Sequence, residues 1–170
     1  SYNWTINGSS PTGTNVKVKV SWNADAANVT DASDNFFKVI PAINITNPIS
    51  TTNWYTQDNG TINWTKSGNW PGDNVSLYYK NVSSGEWVAI NTSANASQLY
   101  YNWTNIPIAA VSYPSKTQIR MKTVDDPSVQ ATDDSDLFFI KPYIRMDYPN
   151  AGGVVWNVTE TRQINWTLYG

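Results

Sequence analysis

Residues 60–68 read GTINWTKSG, in which Ile62 and Trp64 alternate with Thr61, Asn63 and Thr65. Successive side chains of an extended chain point to opposite faces, so the apolar pair goes one way and the Asn and Thr residues the other. The same period of two recurs along the chain. Val16, Val18, Val20 and Trp22 share one side while Lys17, Lys19 and Ser21 take the other. Shorter runs follow at Val75/Leu77/Tyr79, Val88/Ile90, Tyr101/Trp103, Ile119/Met121 and Phe138/Ile140. Turn signals separate them: DNG (58–60), SGNWPGD (67–73), SSGE (83–86) and DDPS (125–128). Helical spacing of apolar residues is nowhere sustained. Short alternating strands punctuated this often predict an all-β chain of antiparallel β-sandwiches.

The motif is itself repeated. TINWT (61–65) matches QINWT (163–167), and DASDNFF (31–37) matches DDSDLFF (133–139), both at an offset of 102. YNWT (2–5) matches YNWT (101–104) at an offset of 99, and FFKVIPAINITNP runs parallel to FFIKPYIRMDYP. A period this long is one sandwich per repeat, a tandem array rather than a short-period solenoid. The expected organisation is residues 1–46 as the C-terminal half of one repeat, 47–142 as a complete repeat, and 143–170 as the first strands of the next. Neither partial copy can bury its own sheet face. The chain is therefore expected to be a window of a longer array, or a subunit whose halves are completed by strands from its neighbours. The junctions VIPAINITNP (39–48) and FIKPYIRMDYP (139–149) contain Pro and no Gly/Ser tract, which predicts stiff joints.

Composition narrows the class. Among 170 residues there are nine Trp, ten Tyr and four Phe, enough for a packed core. The net charge of −2 and scattered Lys and Arg leave no footprint for nucleic acid. No apolar run approaches the ~20 residues that a membrane helix needs. Neither Cys nor His occurs, which removes disulfides, thiolate metal sites and the commonest general base together.

The complete repeat resembles a known module. Its carrying residues are Ile49 to Trp54, GTINWTKSG (60–68), NVSLYYKN (74–81), WVAI (87–90), YYNWTNIP (100–107), KTQIRMKT (116–123) and SDLFFI (135–140). These are similar to the immunoglobulin-like domain of the Ser/Thr-rich, GPI-anchored fungal cell-wall family associated with β-glucan synthesis, a module also found in prokaryotic surface proteins. The resemblance implies tandem immunoglobulin-like sandwiches and an extracellular or cell-surface setting. It brings no catalytic residues.

Asn-x-Ser/Thr, with x not Pro, is the acceptor pattern for N-glycosylation. With 21 Asn and 34 Ser and Thr in the chain, chance gives about four such sequons. There are thirteen: Asn3, Asn7, Asn28, Asn44, Asn59, Asn63, Asn74, Asn81, Asn91, Asn95, Asn102, Asn157 and Asn165. A glycan needs an outward Asn. Alternation predicts it for Asn63 beside Ile62 and Trp64, for Asn102 beside Tyr101 and Trp103, and for Asn74 beside Val75 and Leu77. Glycans at these sites would also explain a charged content of only 14%, against roughly a quarter in ordinary domains.

The expected role is a structural one: a heavily N-glycosylated extracellular filament, stalk or surface layer, with copies of itself or adjacent repeats as partners. The alternative is a carbohydrate-binding or adhesion module for wall polysaccharide. In that reading Trp54, Trp70, Trp87 and Trp156, at strand ends and turns, stack on sugar rings. Trp4, Trp22, Trp64, Trp103 and Trp166 are expected to face the core. Catalysis is not expected: carboxylates lie mostly in turns and no nucleophile motif accompanies them. No cofactor is expected beyond covalent glycans. The one candidate for Ca²⁺ is the Asp-rich run 125–136, with Asp125, Asp126, Asp133, Asp134 and Asp136, whose spacing fits no EF-hand.

Overall fold

The computed structural model describes residues 1–70, 72–82 and 85–170. Pro71 of the SGNWPGD turn, and Ser83 and Ser84 of the SSGE turn, lie outside the described residues. The protein is all-β, built from several antiparallel ladders. Four short strands come first: β1 (Gly13–Val16), β2 (Lys19–Ser21), β3 (Thr30–Ala32) and β4 (Phe37–Val39). Nine follow in the middle: β5 (Ala42–Asn47), β6 (Asn53–Tyr55), β7 (Gly60–Ser67), β8 (Asn74–Asn81), β9 (Val88–Asn95), β10 (Tyr100–Trp103), β11 (Thr117–Thr123), β12 (Thr132–Asp134) and β13 (Phe139–Lys141). The chain closes with β14 (Tyr143–Tyr148) and β15 (Asn165–Tyr169).

Two sheets of the middle segment share one core. One has the order β10-β7-β5, the other β12-β11-β8-β9, and β6 runs parallel to β13 beside them. The alternation read from sequence places their inner faces: Ile62 and Trp64 from β7, Val75, Leu77 and Tyr79 from β8, Trp103 from β10, Ile119 and Met121 from β11, with Phe138 and Ile140. Each aliphatic side chain so buried contributes about 1.5–3 kcal/mol. The indole N–H of buried Trp64 is satisfied, since its Nε1 donates to the Ala96 carbonyl at 3.0 Å. Asp133, on β12, accepts the Ile45 backbone N–H at 2.7 Å and so ties the edge of one sheet to the edge of the other.

The flanking ladders, β1 with β4, β2 with β3 and β14 with β15, each have two strands. They correct one expectation. Trp4, Trp22 and Trp166, expected in a core, are exposed, as are Val18 and Val20. Alternation gives these residues an inward parity, but among the described residues no second sheet packs on β2–β3 or β14–β15 to bury it.

The hairpin β14–β15 nonetheless copies β5–β7 in register. In the middle segment Ile43, Asn44 and Ile45 face Lys66, Thr65 and Trp64, and a bulge then sets Asn47 against Asn63. In the last segment Ile144, Arg145 and Met146 face Leu168, Thr167 and Trp166, and the same bulge sets Tyr148 against Asn165. The joints are short: Ile40 and Pro41 separate β4 from β5, and Pro142 alone separates β13 from β14. Strand β5 thus starts at Ala42, directly after Pro41.

Candidate functional site

The outer face of the β10-β7-β5 sheet is made by the other half of each alternation. Asn44 sits opposite Thr65, Asn102 opposite Thr61, and Asn63 opposite Tyr100. Thr61 Oγ1 donates to Asn102 Oδ1 at 3.0 Å. Lys66 is the only charged residue in the three strands, and it lies at an inward-parity position, bonded to Asp73 at 2.7 Å. The face therefore presents Asn, Thr and Tyr without charge, and three sequon asparagines stand on it together.

Asn74 and Asn81 open and close β8 on the second sheet. Asn74 donates its side-chain amide and its backbone N–H to Asp125, at 3.1 and 2.8 Å. The Asn81 amide donates to the Val111 carbonyl at 2.8 Å, so it is turned towards the protein. On β9, Asn91 and Asn95 accept the backbone N–H of their own sequon residues Ser93 and Ser97, at 2.7 and 2.8 Å, and Asn7 does the same with Ser9 at 3.1 Å. These Asx turns occupy the carbonyl oxygen and leave the amide nitrogen, the group that would carry sugar, outside the bond. Asn28 and Asn157 donate to Asp25 and Glu160. Asn3, Asn7, Asn28, Asn44, Asn59, Asn95, Asn102, Asn157 and Asn165 are exposed; Asn63, Asn74, Asn81 and Asn91 are half-buried. None of the thirteen sequon asparagines, all of them among the described residues, is sealed in the core.

The tryptophans named as sugar platforms do not come together. Trp54 is drawn into the core, its ring edge-on to Phe138 at 4.8 Å and to Trp103 at 6.3 Å. Gly60 makes the room, because a Cβ there would stand 2.6 Å from the Trp54 ring. This signal was readable only as a glycine beginning an otherwise bulky strand. Trp70 is half-buried under Lys66. Trp87 lies against Lys80 and Arg120, at 4.7 and 4.1 Å from the ring centre, and Arg120 is held by two 2.6 Å bonds to Asp134. Trp156 packs on Tyr148 in the last hairpin.

The carboxylates of 125–136 are likewise dispersed. Asp125 serves Asn74, Asp126 caps the turn at Ser128, Asp133 holds Ile45, Asp134 pairs with Arg120, and Asp136 accepts from the Ser50 backbone. Hydrogen bonds from Ser128 keep the Asp126 carboxyl below its ordinary pKa. Among the described residues no group of three or more His, Cys, Asp or Glu side chains is placed to hold a metal ion. No described helix is long and apolar enough to cross a membrane. No family model, curated protein or solved structure matches the chain.

Proposed function

We propose that this chain is a length of a heavily N-glycosylated extracellular filament, stalk or cell-surface layer, built of tandem immunoglobulin-like sandwiches and without catalytic activity. The uncharged Asn/Thr face of the β10-β7-β5 sheet carries the reading. A soluble sheet ordinarily solvates its outer face with Lys and Glu, and here that face has sequons instead. The sandwich assignment draws on strand order: β5, β7 and β10 against β9, β8, β11 and β12, with β6 parallel to β13 in a two-stranded ladder beside them. Tandem repetition draws on the shared register and shared bulge of β5–β7 and β14–β15.

Intact mass and glycopeptide mapping of material from the native source test the coat. Masses well above the bare 19.0 kDa are expected, with sugar on Asn44, Asn63 and Asn102. Asn81, whose amide is turned inward, is expected to be the least occupied. A native mass equal to that of the bare chain would sink the proposal.

A further inference from the structure

Lys and Arg look scattered along the chain, but in the middle segment the pleat gathers them. On β11 the alternation that buries Ile119 and Met121 turns Gln118, Arg120 and Lys122 to the outer face. Lys116 continues this row one residue ahead of the strand, where its carbonyl accepts the Val82 N–H and extends the ladder. Gln118 interrupts the row of charge, and the residue paired opposite it on β8 is Lys80. Residues two apart on a strand are separated by about 7 Å, so the four cations form a line about 20 Å long. The carboxylates of strands β8, β9, β11 and β12 are Asp133 and Asp134. Asp133 is turned to the Ile45 N–H and Asp134 is bound to Arg120. Among the described residues Lys80, Lys116 and Lys122 make no ion pair. Glu86, exposed in the turn before Trp87, is the other carboxylate close by in sequence.

Aromatic rings hold these cations in place. Lys80 and Arg120 both rest on Trp87, and Lys116 rests 5.3 Å from the ring centre of Phe139. Phe139 points outward between buried Phe138 and Ile140. A cation seated on a ring keeps its charge but has given up side-chain freedom before any ligand arrives, which lowers the entropy cost of binding. The two outer faces of the middle segment thus differ in kind. That of β10-β7-β5 is uncharged and carries sequons, whereas that of β12-β11-β8-β9 carries four braced cations against one paired carboxylate.

We propose that the row Lys116, Lys80, Arg120 and Lys122 binds a linear acidic polysaccharide, one whose repeating sugars carry carboxylates. Charge complementarity sets the sign of the ligand, and regularity sets its class. A stiff polymer with anions at fixed intervals suits cations whose spacing is fixed by the strand, whereas an acidic polypeptide must first order its flexible side chains. Single-stranded nucleic acid binds by stacking bases on open ring faces, and here each ring is already engaged: Trp87 by Lys80 and Arg120, Phe139 by Lys116 and Lys141. Gln118 and Tyr78, outward among the cations, supply hydrogen-bonding groups for sugar hydroxyls. This site adds a ligand to the surface protein proposed above and does not depend on glycosylation of the sequons.

Calorimetric titration of the full 170-residue chain with polygalacturonate tests the site. Binding is expected at low salt, weakening as salt screens the charges, with none to neutral dextran. The variant Lys80→Gln/Lys116→Gln/Lys122→Gln is expected to lose at least about tenfold in affinity, while the same three lysines changed to Arg keep it. Lys17→Gln/Lys19→Gln/Lys38→Gln removes equal charge from the first segment and is expected to leave affinity within about twofold. Near-ultraviolet dichroism of buried Trp64 and Trp103 checks that each variant is folded. Absence of polygalacturonate binding at low salt would overturn the site. Equal losses in the two glutamine variants would reduce the effect to net charge and remove the row. Polyglutamate or oligo(dT) bound as tightly as polygalacturonate would defeat the saccharide assignment.

Discussion

Thr117 is fully buried on β11, and its hydroxyl has no hydrogen-bond partner among the described residues. Leaving a buried hydroxyl unpaired costs about 1–3 kcal/mol. The first segment offers the remedy: Val20 lies opposite Asp31 as Met121 lies opposite Asp133, and four residues before each stand Val16 and Thr117. Thr117→Val is expected to stabilise the protein by about 1–2 kcal/mol, raising the melting temperature by roughly 2–8 °C in calorimetry. Asp73 gives a prediction in pH. Hydrogen bonds from Lys66 and Ser97, both at 2.7 Å, hold its carboxyl below the ordinary value of 3.8. A depressed folded-state pKa stabilises the fold above the unfolded value and stops doing so as pH falls through the folded one. Melting temperature is therefore expected to drop as acid is added below that ordinary value, and the drop to be shallower in Asp73→Asn. The carboxylate is partly solvated, so the difference between the two titrations is expected to be small.

At the scale of the element, one motif supplies a matched pair. Trp64 and Trp166 occupy the same place in β7 and β15, opposite Ile45 and Met146. Trp64→Ala is expected to cost about 3–5 kcal/mol, because it empties a sealed core site and removes the indole hydrogen bond to the Ala96 carbonyl. Trp166→Ala, on an open face, is expected to change the melting of the dilute, monomeric chain by less than about 0.5 kcal/mol. Chemical denaturation of both variants checks the contrast. The same pair shows how much could be read before the structure. Alternation gives the parity of a side chain, and wherever a second sheet stood across, parity became burial: Ile62, Leu77, Ile119 and Phe138 are all inside. Parity does not say what lies across, so Trp22 and Trp166 read as core and are exposed. Strand β9 was blurred for another reason. Two register shifts against β8 break its period, and Val88, read as inward, is exposed. Trp54 was misplaced because nothing local to it reports that Gly60, six positions on, vacates the space its ring fills. The sequons were fully legible as letters. Which amides turn inward, as at Asn81, depends on the distant Val111 carbonyl and leaves no local signal.

At the scale of the whole molecule, the two joints are built alike. Gly68 follows the end of β7 and lies on Pro41, the linker residue before β5; a Cβ there would come within 3.3 Å of Pro41 and of Thr12. Gly170 follows the end of β15 and lies on Pro142, the linker residue before β14; a Cβ there would come within 2.6 Å of Pro142. Thr12 reinforces the first joint by donating to the Asn69 carbonyl, and Thr56 reinforces the second by donating to the Tyr169 carbonyl. Two joints with matching glycine–proline contacts are expected, in the tandem array proposed above, to set similar angles between successive units. Gly68 is the residue on which this depends at the first joint. Its φ of +88° is a conformation that favours glycine, and a Cβ there would press on Pro41 and Thr12 at 3.3 Å. Gly68→Val is therefore expected to lift the first segment off the end of β7 while the core of the middle segment, which Gly68 does not enter, remains folded. Small-angle scattering of the chain is expected to show a larger radius of gyration and a broader distance distribution than the parent, with the near-ultraviolet dichroism of buried Trp64 and Trp103 retained. An unchanged scattering profile would mean that the joint does not depend on this contact.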